Sequence, residues 1–128
     1  MNTVKILIVE DDQFLRELYS DVLKAEGYAT DIAIDGEEGL KKIKEGGYDL
    51  VLLDIIMPKI NGLEIMKRIK TNPPALSNRC VIFLTNLDKE EEIKAALQLG
   101  NGYLIKSQTT PGSLVQEVKA YLEKFAKA

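Results

Sequence analysis

Three short runs along the chain are almost continuously apolar: KILIV (Lys5–Val9), LVLL (Leu50–Leu53) and CVIFL (Cys80–Leu84). Such runs, bounded by acids, glycines and polar clusters, suit strands buried on both faces of a parallel sheet. Two weaker runs, Ala29–Ala33 and Gly102–Ile105, complete five predicted strands. Between them the period becomes helical. Phe14, Leu15, Leu18, Val22 and Leu23 form one apolar stripe, which Gly27 ends. Asp35 with Glu38 three residues on is a capping-box pattern for a second helix that runs to Gly46-Gly47. Asn61 can cap a third through about Lys70, and Asp88 with Glu91 repeats the capping pattern for a fourth that stops near Gly100. Thr110-Pro111 places a cap and an N1 proline before a fifth helix, whose apolar face is Leu114, Val115, Val118, Leu122 and Phe125.

This alternation predicts an α/β fold, a doubly wound parallel sheet with right-handed crossovers, as one domain over residues 1–128. There is no internal repeat and no low-complexity segment. The odd connection is TNPPALSNR, Thr71 to Arg79, where two prolines and several polar residues predict a loop. It reads as a variable loop or as a contact surface.

Composition narrows the function by exclusion. With 45% hydrophobic and 29% charged residues, the 128-residue chain is long enough to bury a core without staples. Its net charge is −3 and it has no long basic run, so electrostatics gives no reason to expect direct nucleic-acid binding. The single cysteine, Cys80, excludes an internal disulfide, fits a reducing compartment and reads as a small apolar residue leading into a strand. The N-terminal MNTVKILIVEDD lacks the apolar length and cleavage site of a signal peptide, and no stretch approaches a membrane span. The expectation is a cytoplasmic protein. There is no histidine, which removes imidazole catalysis and histidine metal ligands.

In doubly wound folds the functional crevice lies at the carboxyl ends of the strands. Here the first strand ends in Glu10-Asp11-Asp12, the third at Asp54, the fourth at Thr85 and the fifth at Lys106. An acid that ends so apolar a strand as VLLD is costly to bury without a partner. Gathered carboxylates repel, so such a cluster usually holds a cation or a shared proton. Oxygen-only ligands suit magnesium, with manganese as a substitute; Asp11, Asp12 and Asp54 could serve, with the backbone carbonyl of Ile56. Asp11 and Asp12 read equally well as the N-cap and first-turn acids of the helix before Gln13. A carboxylate held against a divalent cation can be a nucleophile towards phosphorus, with Lys106 and the Thr85 hydroxyl pairing with phosphoryl oxygens.

The segments ILIVEDD, VLLDIIMPKINGLE, VIFLT and GNGYLIKS, which span nearly the whole chain, resemble those of response-regulator receiver domains of two-component signalling. The aspartate followed by Met-Pro and then glycine is the most specific of them. The resemblance implies a flavodoxin-like sheet of order 2-1-3-4-5 with five helices, an order for which this family supplies a worked example. It implies Asp54 as phospho-acceptor, Asp11 and Asp12 as the acid pair, and magnesium on Asp12, Asp54 and the Ile56 carbonyl, with Asp11 acting partly through water. It implies Thr85 and Tyr103 as a switch pair. A histidine kinase or phosphotransfer protein would be the donor, and an unknown output would be controlled through the fourth helix, fifth strand and fifth helix. The protein would be a monomer or a phosphorylation-dependent dimer, and a signalling switch rather than an enzyme.

Three residues depart from the family pattern. Ser107 follows Lys106 where proline is common; a cis bond there would cost ~2.5–4 kcal/mol without proline, so the bond is either strained or trans. Asn86 follows Thr85 where a small residue is common, which would crowd phosphoryl access. Ile56 and Leu87 replace polar residues that help position hydrolytic water, which implies a long-lived phosphoryl form. The competing readings are a receiver-fold interaction module that is never phosphorylated, a metal-dependent phosphohydrolase and a flavin carrier. The second would want an aspartate at position 56, and the third would be repelled by the acids after the first strand.

Overall fold

A computed structural model describes residues 3–86 and 90–125. The described chain runs β1 (Lys5–Val9), α1 (Gln13–Ala25), β2 (Ala29–Ala33), α2 (Gly36–Glu45), β3 (Leu50–Asp54), α3 (Gly62–Thr71), β4 (Val81–Thr85), α4 (Glu90–Leu99), β5 (Gly102–Ile105), a 3-10 turn (Lys106–Gln108) and α5 (Pro111–Lys124). All four strand pairings are parallel, in the order β2-β1-β3-β4-β5. The doubly wound fold and the 2-1-3-4-5 order expected from the sequence are the ones observed.

Alternate residues along each strand serve two cores. Leu7 and Val9 of β1, Val51 and Leu53 of β3 and Phe83 of β4 pack against Ile43 of α2, Ile65 and Ile69 of α3 and Ala96 of α4. Ile6, Ile8, Leu50, Leu52, Ile82, Leu84 and Leu104 pack on the other face, against Leu23 of α1 and Leu114, Val118 and Leu122 of α5. Each buried aliphatic side chain contributes ~1.5–3 kcal/mol relative to an exposed one. With both faces covered, a polar residue mid-strand would forfeit that gain, which is why the central strands read as unbroken apolar runs.

The caps are local and mostly as expected. Asp35 accepts from the Glu38 amide, Asn61 from that of Glu64, and Thr110 with Ser113 forms a reciprocal capping box behind Pro111. Gly27, at φ +92°, ends α1 in the left-handed conformation that glycine adopts without a Cβ penalty. The expected Asp88 cap lies outside the described residues.

Three strand boundaries, on two strands, differ from expectation. β3 includes Asp54, which pairs with Leu84, and β4 starts at Val81 rather than Cys80 and ends at Thr85. Ladder pairing uses backbone groups, so a polar side chain does not end a strand. The Lys106–Gln108 turn was also not expected; it is closed by Thr109, whose amide donates to Lys106 O and whose hydroxyl donates to Ile105 O. No cis peptide occurs among the described residues, so the Lys106–Ser107 bond is trans. The Thr71–Arg79 segment is a loop, pinned to the α2–β3 turn by Asn78, which accepts from the Tyr48 amide and donates to Ile43 O.

Candidate functional site

The carboxyl ends of β1, β3, β4 and β5 converge. Glu10 follows β1 and is wholly buried, Asp54 ends β3 at 1% exposure, and Thr85 ends β4 at 1%. Lys106 follows β5, and its ammonium lies 2.6 Å from Glu10 Oε1 and 2.8 Å from Asp54 Oδ2. One buried ammonium therefore bridges two buried carboxyl groups. Asp11, exposed beside them, completes a group in which one carboxylate oxygen from each of the three acids lies within 4.8 Å of the others.

Three carboxylates against one ammonium leave the site with excess negative charge. Burial, then the adjoining Glu10 carboxyl, pushes the Asp54 pKa from 3.8 up to about 8, with Lys106 opposing. Burial by itself would lower the Lys106 pKa, but its bonds to Asp54 and Glu10 outweigh that and raise it. Asp54 Oδ1 is buried and has no hydrogen-bond partner among the described residues. An orphaned buried carboxylate oxygen inside an all-oxygen acidic group fits a hard divalent cation such as magnesium.

The surrounding loops are held by local contacts. Arg16 of α1 donates from NH1 to Glu10 O at 2.9 Å and reaches Asp11 O at 3.4 Å, fixing the backbone that carries both acids. The start of α3 lies against the end of β3: Gly62 N donates to Ile55 O at 2.8 Å, and a Cβ on Gly62 would fall 2.2 Å from Asp54 O. Only glycine permits that approach. Lys59 adopts a left-handed φ of 71° and pairs with Asp35 and Glu37 at the start of α2, tying the β3–α3 loop to that helix.

The expected site residues do not all meet. Asp54, Lys106 and Asp11 do. Asp12 does not: its Oδ1 accepts from the Leu15 amide at 3.0 Å, so it is the N-cap of α1. Glu10 takes the place expected of Asp12, and the acid pair beside Asp54 is Glu10 and Asp11. Ile56 follows Asp54 by two residues, with its side chain 61% exposed. Thr85 Oγ1 donates to Glu92 Oε1 of α4 at 3.2 Å. Tyr103 of β5 is half-buried against the core shared by α2, α3 and α4. Arg16 and Glu92 were missed, and Glu10 was placed at the strand end but given no role. Glu10 alone carried a signal, as the first acid after an apolar strand.

Residues 6–119 match the family model for the response regulator receiver domain. The chain belongs to this family, the receiver switches of two-component response regulators. It is 37% identical over 122 residues to a transcriptional regulatory protein CpxR homolog of Haemophilus influenzae, covering 95% of this chain and 52% of that one. It is 38% identical over 104 residues to the transcriptional regulatory protein DltR of Streptococcus agalactiae, covering 80% and 45%. The chain thus spans about half the length of these curated relatives. Among solved structures it resembles a CheY-like receiver domain protein from Methanospirillum hungatei (TM-score 0.84, 29% identity, 96% of each chain). It also resembles the response regulator TrrA of Thermotoga maritima, solved with Mg2+-BeF (TM-score 0.77, 36% identity, 93% of this chain and 99% of that one).

Proposed function

We propose that this receiver domain accepts a phosphoryl group on Asp54 from a histidine kinase or phosphotransfer protein. The observation that carries this reading is the asymmetry of the Asp54 carboxylate. Oδ2 is bonded to Lys106, while Oδ1 has no hydrogen-bond partner among the described residues. The Asp54 carboxylate is then the nucleophile: one of its oxygens forms the new O–P bond as the donor's P–N bond breaks and the imidazole leaves. Lys106 stays protonated and offers a point charge to a phosphoryl oxygen, and the Thr85 hydroxyl can bond another.

Asp11 and Asp54, with the Ile56 carbonyl, would hold magnesium or manganese. The oxygens of Glu10 are engaged by Lys106 and by the Asp12 amide at 3.1 Å. The metal supplies positive charge that lets an anionic donor approach an anionic acceptor. Tyr103 and Thr85 form the switch pair, and α4, β5 and α5 present the result to an output. Since the similar curated proteins are named as transcriptional regulators, the output in this reading is a transcriptional module, on the same chain or on a partner. Among the described residues no helix is long and apolar enough to cross a membrane, and the reading places the protein in the cytoplasm.

The test is intact mass after incubation with acetyl phosphate, with and without magnesium, on wild type and Asp54→Asn. The expected result is a magnesium-dependent gain of one phosphoryl group by the wild type alone. An equal gain by Asp54→Asn, or none by a wild type that binds magnesium, would count against the proposal.

A further inference from the structure

The Thr85 side chain is almost fully buried, yet its hydroxyl donates to a carboxylate on the neighbouring helix, Glu92 Oε1 of α4. We infer that Glu92 is a positioning residue that latches Thr85 in the resting state and sets how readily the site takes a phosphoryl group. This rests on the reading of Asp54 as the phospho-acceptor.

A hydroxyl has one proton to give. If Thr85 donates it to Glu92, it cannot donate it to a phosphoryl oxygen on Asp54. The two acceptors are of one kind, both anionic and both making charge-assisted bonds. The Glu92 bond therefore offsets much of what the phosphoryl bond would contribute. Only the latch-open fraction can offer the hydroxyl, and the apparent affinity for any phosphoryl group falls by that fraction.

The latch also connects the site to α4. Ala96 is the one buried residue of that helix, whose first turn carries Glu90, Glu91 and Glu92. An aspartyl phosphate carries about −1.5 to −2 of charge where the carboxylate carried −1, beside the strand end that holds Thr85 against Glu92. It accepts the Thr85 hydrogen bond and repels the former acceptor, so both effects release the first turn of α4 in the same direction.

The test measures beryllofluoride binding in magnesium by calorimetry, with the Thr85 methyl shift followed by NMR in the metal-free protein. Glu92→Ala should bind beryllofluoride about tenfold more tightly, the order expected for one hydrogen bond to a charged group, with magnesium affinity within about twofold of wild type. Glu92→Gln, which keeps an acceptor oxygen but not the charge, should fall between. In a Thr85→Val background the Glu92→Ala gain should vanish. An equal gain in that background would mean that simple charge repulsion is at work and would overturn the latch, as would no gain at all. Wild type that binds no beryllofluoride would overturn the Asp54 reading itself. The metal-free shift separates the two failures, because a Thr85 shift unchanged by Glu92→Ala refutes the latch whatever the site binds.

Discussion

Replacing Asp54 with asparagine should stabilise the metal-free protein, and the gain should grow with pH. Glu10 and Asp54 are both buried and share one cation, Lys106. One oxygen of each lies within 4.8 Å of the other, and two unit charges at that separation repel by roughly 3–4 kcal/mol at an effective dielectric constant of about 20. The folded-state pKa of Asp54 lies at about 8, above its ordinary 3.8. A raised folded pKa means that folding is least penalised below about pH 4, where the acid is protonated in both states. The penalty grows as pH rises between the two values and levels off above the upper one. At pH 7 the unfolded carboxyl is ionised about three units above its pKa while the folded one still holds its proton, which costs up to ~4 kcal/mol. Asparagine keeps the shape and removes the titration. Urea unfolding in chelator at pH 5, 6, 7 and 8 should show the mutant's advantage widening by up to ~1.4 kcal/mol per pH unit. Saturating magnesium should then stabilise the wild type, by ~2.7 kcal/mol at a hundred times its Kd, and leave the mutant unmoved. An advantage independent of pH, or a wild type more stable than the mutant at pH 7 in chelator, would refute the reasoning.

The remaining predictions concern the residues around Asp54. Lys106→Met strips the cation from two buried acids and should cost ~3–5 kcal/mol at neutral pH, with partial rescue by Glu10→Gln; urea midpoints of the single and double mutants check this, and no rescue would show that the lysine acts by packing. Asp12→Ala should lower stability by ~1 kcal/mol as a lost N-cap while retaining magnesium, and Asp11→Asn should do the reverse; titration calorimetry with thermal unfolding separates them, and loss of magnesium in Asp12→Ala would restore Asp12 to the site. Gly62→Ala forces a Cβ against the Asp54 carbonyl and should cost ~1–3 kcal/mol as overpacking, read as a lower urea midpoint.

Much of the fold was legible because its signals are local. The two-faced burial of β1, β3 and β4 is written as unbroken apolar runs, and Asp35, Asn61 and Thr110 cap helices whose first turns follow them directly. Strand ends were legible only approximately, since Asp54 and Thr85 join the ladder through backbone groups whose partners, Leu84 and Ile105, lie in other strands. The expected strand ends brought Asp54, Thr85 and Lys106 into view before any coordinates, and the family resemblance gave them roles.

The acid pair shows where that legibility ends. Glu10, Asp11 and Asp12 are three consecutive acids after an apolar strand, and composition does not rank them. Their roles were decided by where α1 begins and by where Lys106 arrives, from the far end of the chain. The helix start takes Asp12 as its cap, and the lysine takes Glu10 as its buried partner. Glu92 is a similar case: nothing in the run of glutamates at the start of α4 distinguishes it, and only the packing of α4 beside β4 puts its carboxylate within reach of Thr85. Sequence by itself determined the elements, their order and the strand ends at which the chemistry had to lie, because hydrophobic period and capping act over a few residues. The tertiary structure decided which polar side chains face one another there, because a buried charge is settled by its nearest counter-charge, and that partner comes from elsewhere in the chain.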